Sequence, residues 1–144
     1  MGLKNLKGSC ACGAVEFEAA LPHDRAVLCH CLYCQRRTGS AFGIMVYFQS
    51  QHVSFPKTLL KSYSYKTDSG NMMQSHFCEM CGTSLFLTGD ILSGIIGVAG
   101  GCFDDGYWFE IDREVFLRSK AHFICNIDAN ESMTTSPRYN PKKT

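Results

Sequence analysis

Two short cysteine turns that lie far apart in the chain must meet, and that requirement constrains the fold more than anything else in the sequence. Cys78-x-x-Cys81-Gly82 has the spacing of a zinc knuckle, in which one turn presents two thiolates to one metal. Cys10-x-Cys12-Gly13 is a second turn of the same kind, again with glycine directly after the second sulfur. Glycine at that place lets the backbone curl so that its N–H groups point at the sulfurs. Together the turns supply Cys10, Cys12, Cys78 and Cys81, a complete four-sulfur set for one Zn²⁺. Such a site converts metal-binding energy into folding energy by joining an early hairpin to a late one.

A third sulfur group stands between them, in Cys29-His30-Cys31-Leu32-Tyr33-Cys34-Gln35-Arg36-Arg37-Thr38-Gly39-Ser40. It offers only Cys29, Cys31 and Cys34, one donor short of a tetrahedron. Two readings follow: a closed structural zinc whose fourth ligand lies elsewhere, or a site that keeps one position open. Three thiolates leave a zinc complex at −1, a poor Lewis acid and a poor acidifier of water, so hydrolysis by zinc hydroxide is disfavoured. A soft, electron-rich site suits the binding or transfer of another sulfur. Arg36 and Arg37 either hold a substrate carboxylate through paired hydrogen bonds or are ordinary solvated surface. Thr38, Gly39 and Ser40 either add donors near the same anion or form a helix end and turn. His30, between two ligands, is expected to point away from the sulfurs. His76 and His122 are placed on strands near the sites, as satisfied core histidines rather than ligands. Cys102 and Cys125 are read as small buried hydrophobes.

The meaning of nine cysteines depends on compartment. The start of the chain, Met1 to Lys7, has no apolar signal core, and position 6 lacks the Ser or Thr of a myristoylation pattern. The uncharged run from Thr38 to Pro56 is broken by Gln49, Ser50, Gln51 and His52, so no segment reads as membrane-spanning. A soluble, cytoplasmic chain is expected, with reduced thiols and metal rather than disulfides. The formal charge is +1, and seven thiolates around two Zn²⁺ contribute a further −3, which brings the holo-protein to −2. Apart from the short Pro141-Lys142-Lys143 tail there is no basic block, so no nucleic-acid partner is expected.

The sequence predicts strands over 14–19, 26–28, 41–48, 51–55, 59–65, 72–77, 84–87, 95–99 and 121–124, mainly from alternating or continuous apolar runs. Turns are predicted at 68–71 and 103–106, and a polar arm or tail from Asn126. The chain of 144 residues is read as one mostly β domain with antiparallel hairpins.

Gly8-Ser9-Cys10-x-Cys12-Gly13-x-Val15-x-Phe17, Cys29-His30-Cys31-x-x-Cys34-x-Arg36-x-x-Gly39-Ser40 and Phe77-Cys78-x-x-Cys81-Gly82-Thr83 resemble the glutathione-dependent formaldehyde-activating enzyme family, which includes centromere protein V. Gly100-Gly101-Cys102-Phe103-Asp104 is similar to that family's glycine-small-apolar-aspartate turn, and the likeness runs over about residues 8–105. It implies an antiparallel β-tent with a structural zinc on Cys10, Cys12, Cys78 and Cys81 and a looser, catalytic one on Cys29, Cys31 and Cys34. It also implies carbon–sulfur lyase chemistry on a small thiol such as glutathione, with formaldehyde as electrophile. Arg36, Arg37 and Ser40 would then orient the substrate. The alternative is a non-catalytic zinc module that binds a protein partner.

Overall fold

The computed structural model describes residues 4–141. The Met1-Gly2 start and the Lys142-Lys143 pair lie outside them. The chain is mostly β, as the alternating sequence requires. A three-stranded sheet contains β1 (Asn5–Ser9), β2 (Glu16–Ala20) and β5 (Val53–Ser54) in the order β1-β2-β5. The remaining strands are β3 (Arg25–Cys29), β4 (Gly43–Gln49), β6 (Leu60–Lys66), β7 (Met72–Cys78), β8 (Ser84–Gly89), β9 (Ile95–Ala99), β10 (Ile111–Val115) and β11 (Ala129–Ser132). They form an eight-stranded sheet in the order β11-β10-β3-β4-β9-β8-β7-β6.

The small sheet closes over one face of the large one. Val15, Phe17 and Ala19 point inward at alternate positions and pack against Val46 and Phe48 of β4, Phe86 of β8 and Val98 of β9. Phe17 meets Phe86 edge-on with centroids 5.6 Å apart and Phe103 at 5.3 Å. Each such fully buried ring contributes about 1.5–3 kcal/mol of transfer free energy. The opposite face carries a second apolar group, Met45, Met73, Leu87 and Leu92, bordered by Tyr47 and Tyr65. Gly97 makes room there: a Cβ on it would lie 3.0 Å from the Tyr47 ring and 3.1 Å from the Met45 methyl. The single α-helix among the described residues, α1 (Leu32–Thr38), lies on this face, with Tyr33 stacked on Tyr65 at 3.7 Å.

The strands expected near 14–19, 26–28, 41–48, 59–65, 72–77, 84–87 and 95–99 are present with shifted ends. Residues 51–55 instead divide into a 3-10 turn, Ser50–His52, and the two-residue β5. Ala121–Ile124 is a turn closed by the Ile124 N–H on the Ala121 carbonyl at 3.1 Å, not a strand. The last strands are β10 and β11. Both pair in parallel, β10 with β3 and with β11, so the antiparallel pattern stops at β3. β10 reads Ile-Asp-Arg-Glu-Val, and its acids face inward. Asp112 accepts the Ala26 N–H at 2.8 Å, and Glu114 is buried. Charge at inward positions hides the alternation that marks a strand. After β11 the polar segment is an arm. The Met133 N–H donates to the Glu114 carbonyl, Arg138 reaches the Ile91 carbonyl, and the Asn140 N–H donates to the Ser69 hydroxyl at 2.7 Å.

Two sulfur clusters and the cleft between them

The two predicted knuckles meet. Cys10 and Cys78 are buried, Cys12 and Cys81 are exposed, and all four Sγ atoms lie within 4.8 Å of one another. Each turn closes on its glycine, the first over three residues and the second over four: the Gly13 N–H donates to the Cys10 carbonyl at 3.1 Å, and the Gly82 N–H to the Cys78 carbonyl at 2.8 Å. Gly13 (φ 80°) and Gly82 (φ 78°) occupy the left-handed region where glycine is least strained. Amides then point at sulfur, Val15 N–H at Cys10 Sγ (3.2 Å) and Met80 N–H at Cys78 Sγ (3.4 Å). Thr83 links the turns, because its hydroxyl oxygen accepts the Ala11 N–H at 3.1 Å and lies 3.1 Å from Cys81 Sγ. The Thr83 hydroxyl and then its amide pull the Cys81 thiol down to about 5.

The spacing of these sulfurs tests whether they fit a metal. Cys10 and Cys12 are 3.6 Å apart and Cys12 and Cys78 are 3.9 Å apart. A disulfide would need about 2.0 Å. Zinc–sulfur bonds of about 2.3 Å in a tetrahedron set sulfurs about 3.8 Å apart along each edge. The donor set fits Zn²⁺.

The second cluster forms at a strand-to-helix corner. Cys29 ends β3, Cys31 is the N-cap of α1, and Cys34 lies in its first turn, with the Cys34 N–H donating to Cys31 Sγ at 3.3 Å. The three Sγ atoms lie within 4.8 Å of one another, and no fourth His, Cys, Asp or Glu joins them among the described residues. Hydrogen bonds from Cys29 and then Cys34 bring the Cys31 thiol down to about 3. The Cys29 thiol is pushed up by the Cys31 and Cys34 sulfurs and by burial. At Cys34 the bond with Cys29 lowers the thiol, but Cys31 and burial prevail and push it up to about 11. Three sulfurs held this close, with an amide N–H aimed at one of them, make an arrangement suited to a cation.

The structure separates the arginines. Arg36 is exposed on the helix, whereas Arg37 turns into a cleft of about 510 Å³ together with Ser40. Arg37 Nε and Nη2 are buried there without hydrogen-bond partners. The cleft runs from Arg37, Ser40 and Gly43, beside the three-sulfur group, to Gly82 and Thr83 of the four-sulfur turn. Gly100, Gly101 and Tyr107 form its far side. No carboxylate among the described residues lines it. Tyr107 escapes sequence reasoning; Gly101 beside it is exposed bare backbone, whereas a Cβ on the buried Gly100 would meet Ile44 Cγ2 at 2.7 Å and the Phe109 ring at 2.9 Å. Thr38 and Gly39 are the helix end: the Thr38 hydroxyl donates to the Cys34 carbonyl at 2.8 Å, and Gly39 (φ 67°) caps the helix.

His30 points away from the sulfurs, fully buried, with Nε2 2.7 Å from Glu114 Oε2. His76 bonds Thr88 at 2.8 Å. Two expectations fail. His122 lies exposed in the 121–124 turn because the strand expected there does not form, and Cys125, just after that turn, is exposed rather than buried. Cys102 is half-buried, and burial raises its thiol to about 11.

A β protein with two separate clusters of unpaired cysteines, one of four sulfurs and one of three, is the class these features define. Residues 5–119 match the model of the family described as glutathione-dependent formaldehyde-activating enzyme, and the chain belongs to that family. The fold is similar to the crystal structure of a Rhodobacter sphaeroides protein, a structural genomics target, with a TM-score of 0.55. The two are 25% identical over a match that covers 68% of this chain and 87% of that one. No helix among the described residues is long and apolar enough to cross a membrane.

Proposed function

We propose that the protein is a carbon–sulfur lyase that makes or breaks a thiol adduct of the glutathione–formaldehyde type at the Cys29, Cys31 and Cys34 cluster. One observation carries this reading: three sulfurs, with no fourth His, Cys, Asp or Glu donor among the described residues, stand beside a cleft lined by Arg37, whose Nε and Nη2 are buried without partners. Zn²⁺ held by Cys29, Cys31 and Cys34 would supply a soft, electron-rich centre with one position for a visiting sulfur, which it would bind as the thiolate. Cys10, Cys12, Cys78 and Cys81 would hold a second, structural Zn²⁺.

The chain's own residues bind and orient. Arg37 pairs with a substrate carboxylate, for which its Nε and Nη2 form a ready fork. Ser40 offers a hydroxyl on the same rim, and Arg36, outside the cleft, adds only a distant positive charge. Gly101 is exposed, and a Cβ on it would meet only the Tyr107 hydroxyl, at 3.4 Å, so the backbone there leaves room for a peptide-like chain to lie against it. With the substrate so held, the sulfur lone pair forms the C–S bond as the carbonyl π pair moves to oxygen, which takes up the proton released by the thiol. Cleavage of the adduct reverses these movements. Nine cysteines without a disulfide support a reducing compartment, the cytoplasm.

The test is turnover of the glutathione–formaldehyde adduct by wild type and by Cys34→Ser, at equal zinc content in the four-sulfur cluster. Loss of turnover in the variant is expected. Equal rates would remove the three-sulfur cluster from the reaction.

A further inference from the structure

The three sulfurs sit on a backbone that is tied down from behind. His30, the residue between Cys29 and Cys31, is held at its main-chain N–H, its carbonyl and its ring Nε2, while ring Nδ1 is buried without a partner. Its N–H donates to the Val115 carbonyl at 3.1 Å, and its carbonyl accepts from Gln35 Nε2 at 2.8 Å. Its ring Nε2 lies 2.7 Å from Glu114 Oε2, and since a carboxylate only accepts, Nε2 carries the proton and donates. Gln35, the neighbour of Cys34 on α1, also donates to the Ser119 carbonyl at 3.1 Å. All three sulfur-bearing segments are therefore anchored to β10 and the turn that follows it.

Glu114 is the hub. Its side chain is 3% exposed, and it accepts from His30, from Lys120 Nζ at 3.0 Å and from the Ser132 hydroxyl at 3.1 Å. Burial alone would push its carboxyl up, but these three partners outweigh burial and hold it below the usual range. Stability is a weak reason to keep such a group in a sheet, because well-packed apolar residues commonly serve as well as a buried ion pair. Register supplies a better one. The parallel pairing of β10 with β3 places Glu114 beside Leu28 and Val115 beside Cys29, directly behind the Cys29-His30-Cys31 corner. Lys120 and Ser132 lie beyond the residues matched by the family, 5–119.

We propose that Glu114, acting through His30 and joined by Gln35, is a positioning residue that holds the Cys29, Cys31 and Cys34 sulfurs at metal-binding spacing. The inference rests on the reading of that cluster as a metal site. Its residues touch neither substrate nor cleft. They act by denying the corner its alternative rotamers and backbone angles, so a bound ion is not released by the swing of one sulfur.

The experiment loads the full chain with zinc, follows release to a chromogenic chelator, and records cobalt-substituted spectra. Wild type is expected to hold two ions that leave in separate phases. Glu114→Gln preserves side-chain shape but replaces the carboxylate acceptor, and should speed the three-sulfur phase about 10- to 100-fold while leaving the four-sulfur phase unchanged. The sulfur-to-cobalt bands of the three-sulfur site alone should shift. Gln35→Leu, on the half-buried helix, should move the same phase in the same direction and keeps the test decisive if Glu114→Gln fails to fold. Two ions in wild type with unaltered release in both variants would overturn the clamp alone. A single ion in wild type would remove the metal reading of the second cluster, and the clamp with it.

Discussion

The four-sulfur cluster draws on two turns, with Cys12 and Cys78 66 positions apart in the chain, whereas the three-sulfur cluster comes from one corner between β3 and α1. In the first, buried and exposed sulfurs alternate, and Thr83 and main-chain amides bind the turns to each other. In the second, all three sulfurs are half-buried, the backing is a charged side-chain network, and the front is a cleft with Arg37 on its rim. A metal in the first place would close a long loop and so add to folding. A metal in the second would close almost no loop, and its binding energy is free to serve chemistry.

The largest expected effect breaks this comparison if it fails. Cys78→Ser removes a fully buried sulfur from the first cluster, and zinc there is worth on the order of 10 kcal/mol of folding free energy. The variant should lose most of its folded circular dichroism signal and its tightly held zinc. Cys34→Ser should keep both. If Cys34→Ser unfolds as completely as Cys78→Ser, the two clusters do not divide structure from chemistry.

Both clusters were legible in the sequence because each depends on short-range spacing, and the glycines after Cys12 and Cys81 announced their turns. Most strands of the large sheet were legible because β4, β8 and β9 carry apolar side chains on the packed faces. β10 was not, since Asp112 and Glu114 turn inward toward partners that only tertiary structure supplies, Ala26 for one and His30, Lys120 and Ser132 for the other. The same cause hid the backing of the second cluster. β1 was missed because Leu6 is its one large buried side chain; Gly8 is buried too, but shows no side chain to read. The difference between Arg36 and Arg37 was also invisible, because adjacent helix positions point in directions that the sequence does not tie to a cleft.

That difference sharpens the comparison at intermediate size. Arg37→Gln should raise KM for the adduct about 10- to 100-fold, since a charged hydrogen bond to a carboxylate is worth about 1.5–3 kcal/mol. Arg36→Gln should leave KM within about twofold, as expected for an exposed charge. Zinc release from either cluster should be unaffected in both. Equal KM changes in the two variants would move the carboxylate site out of the cleft.

Gly43 supplies the smallest and most specific effect. It is buried on β4 opposite Cys29, and a Cβ placed on it would lie 2.6 Å from Arg37 Nη2, 3.4 Å from Cys34 Cβ and 3.5 Å from Thr38 Cγ2. The nearest atom is the end of a flexible side chain, so Gly43→Ala should fold and displace the guanidinium rather than the sulfurs. Partial loss of one hydrogen bond costs about 1 kcal/mol, so KM should rise about fivefold, with kcat and zinc retention at wild-type values. Steady-state kinetics beside the chelator assay separates the outcomes. A rise in zinc release without a rise in KM would mean that the methyl pushes on Cys34, and that cleft and cluster are one packed unit rather than neighbours.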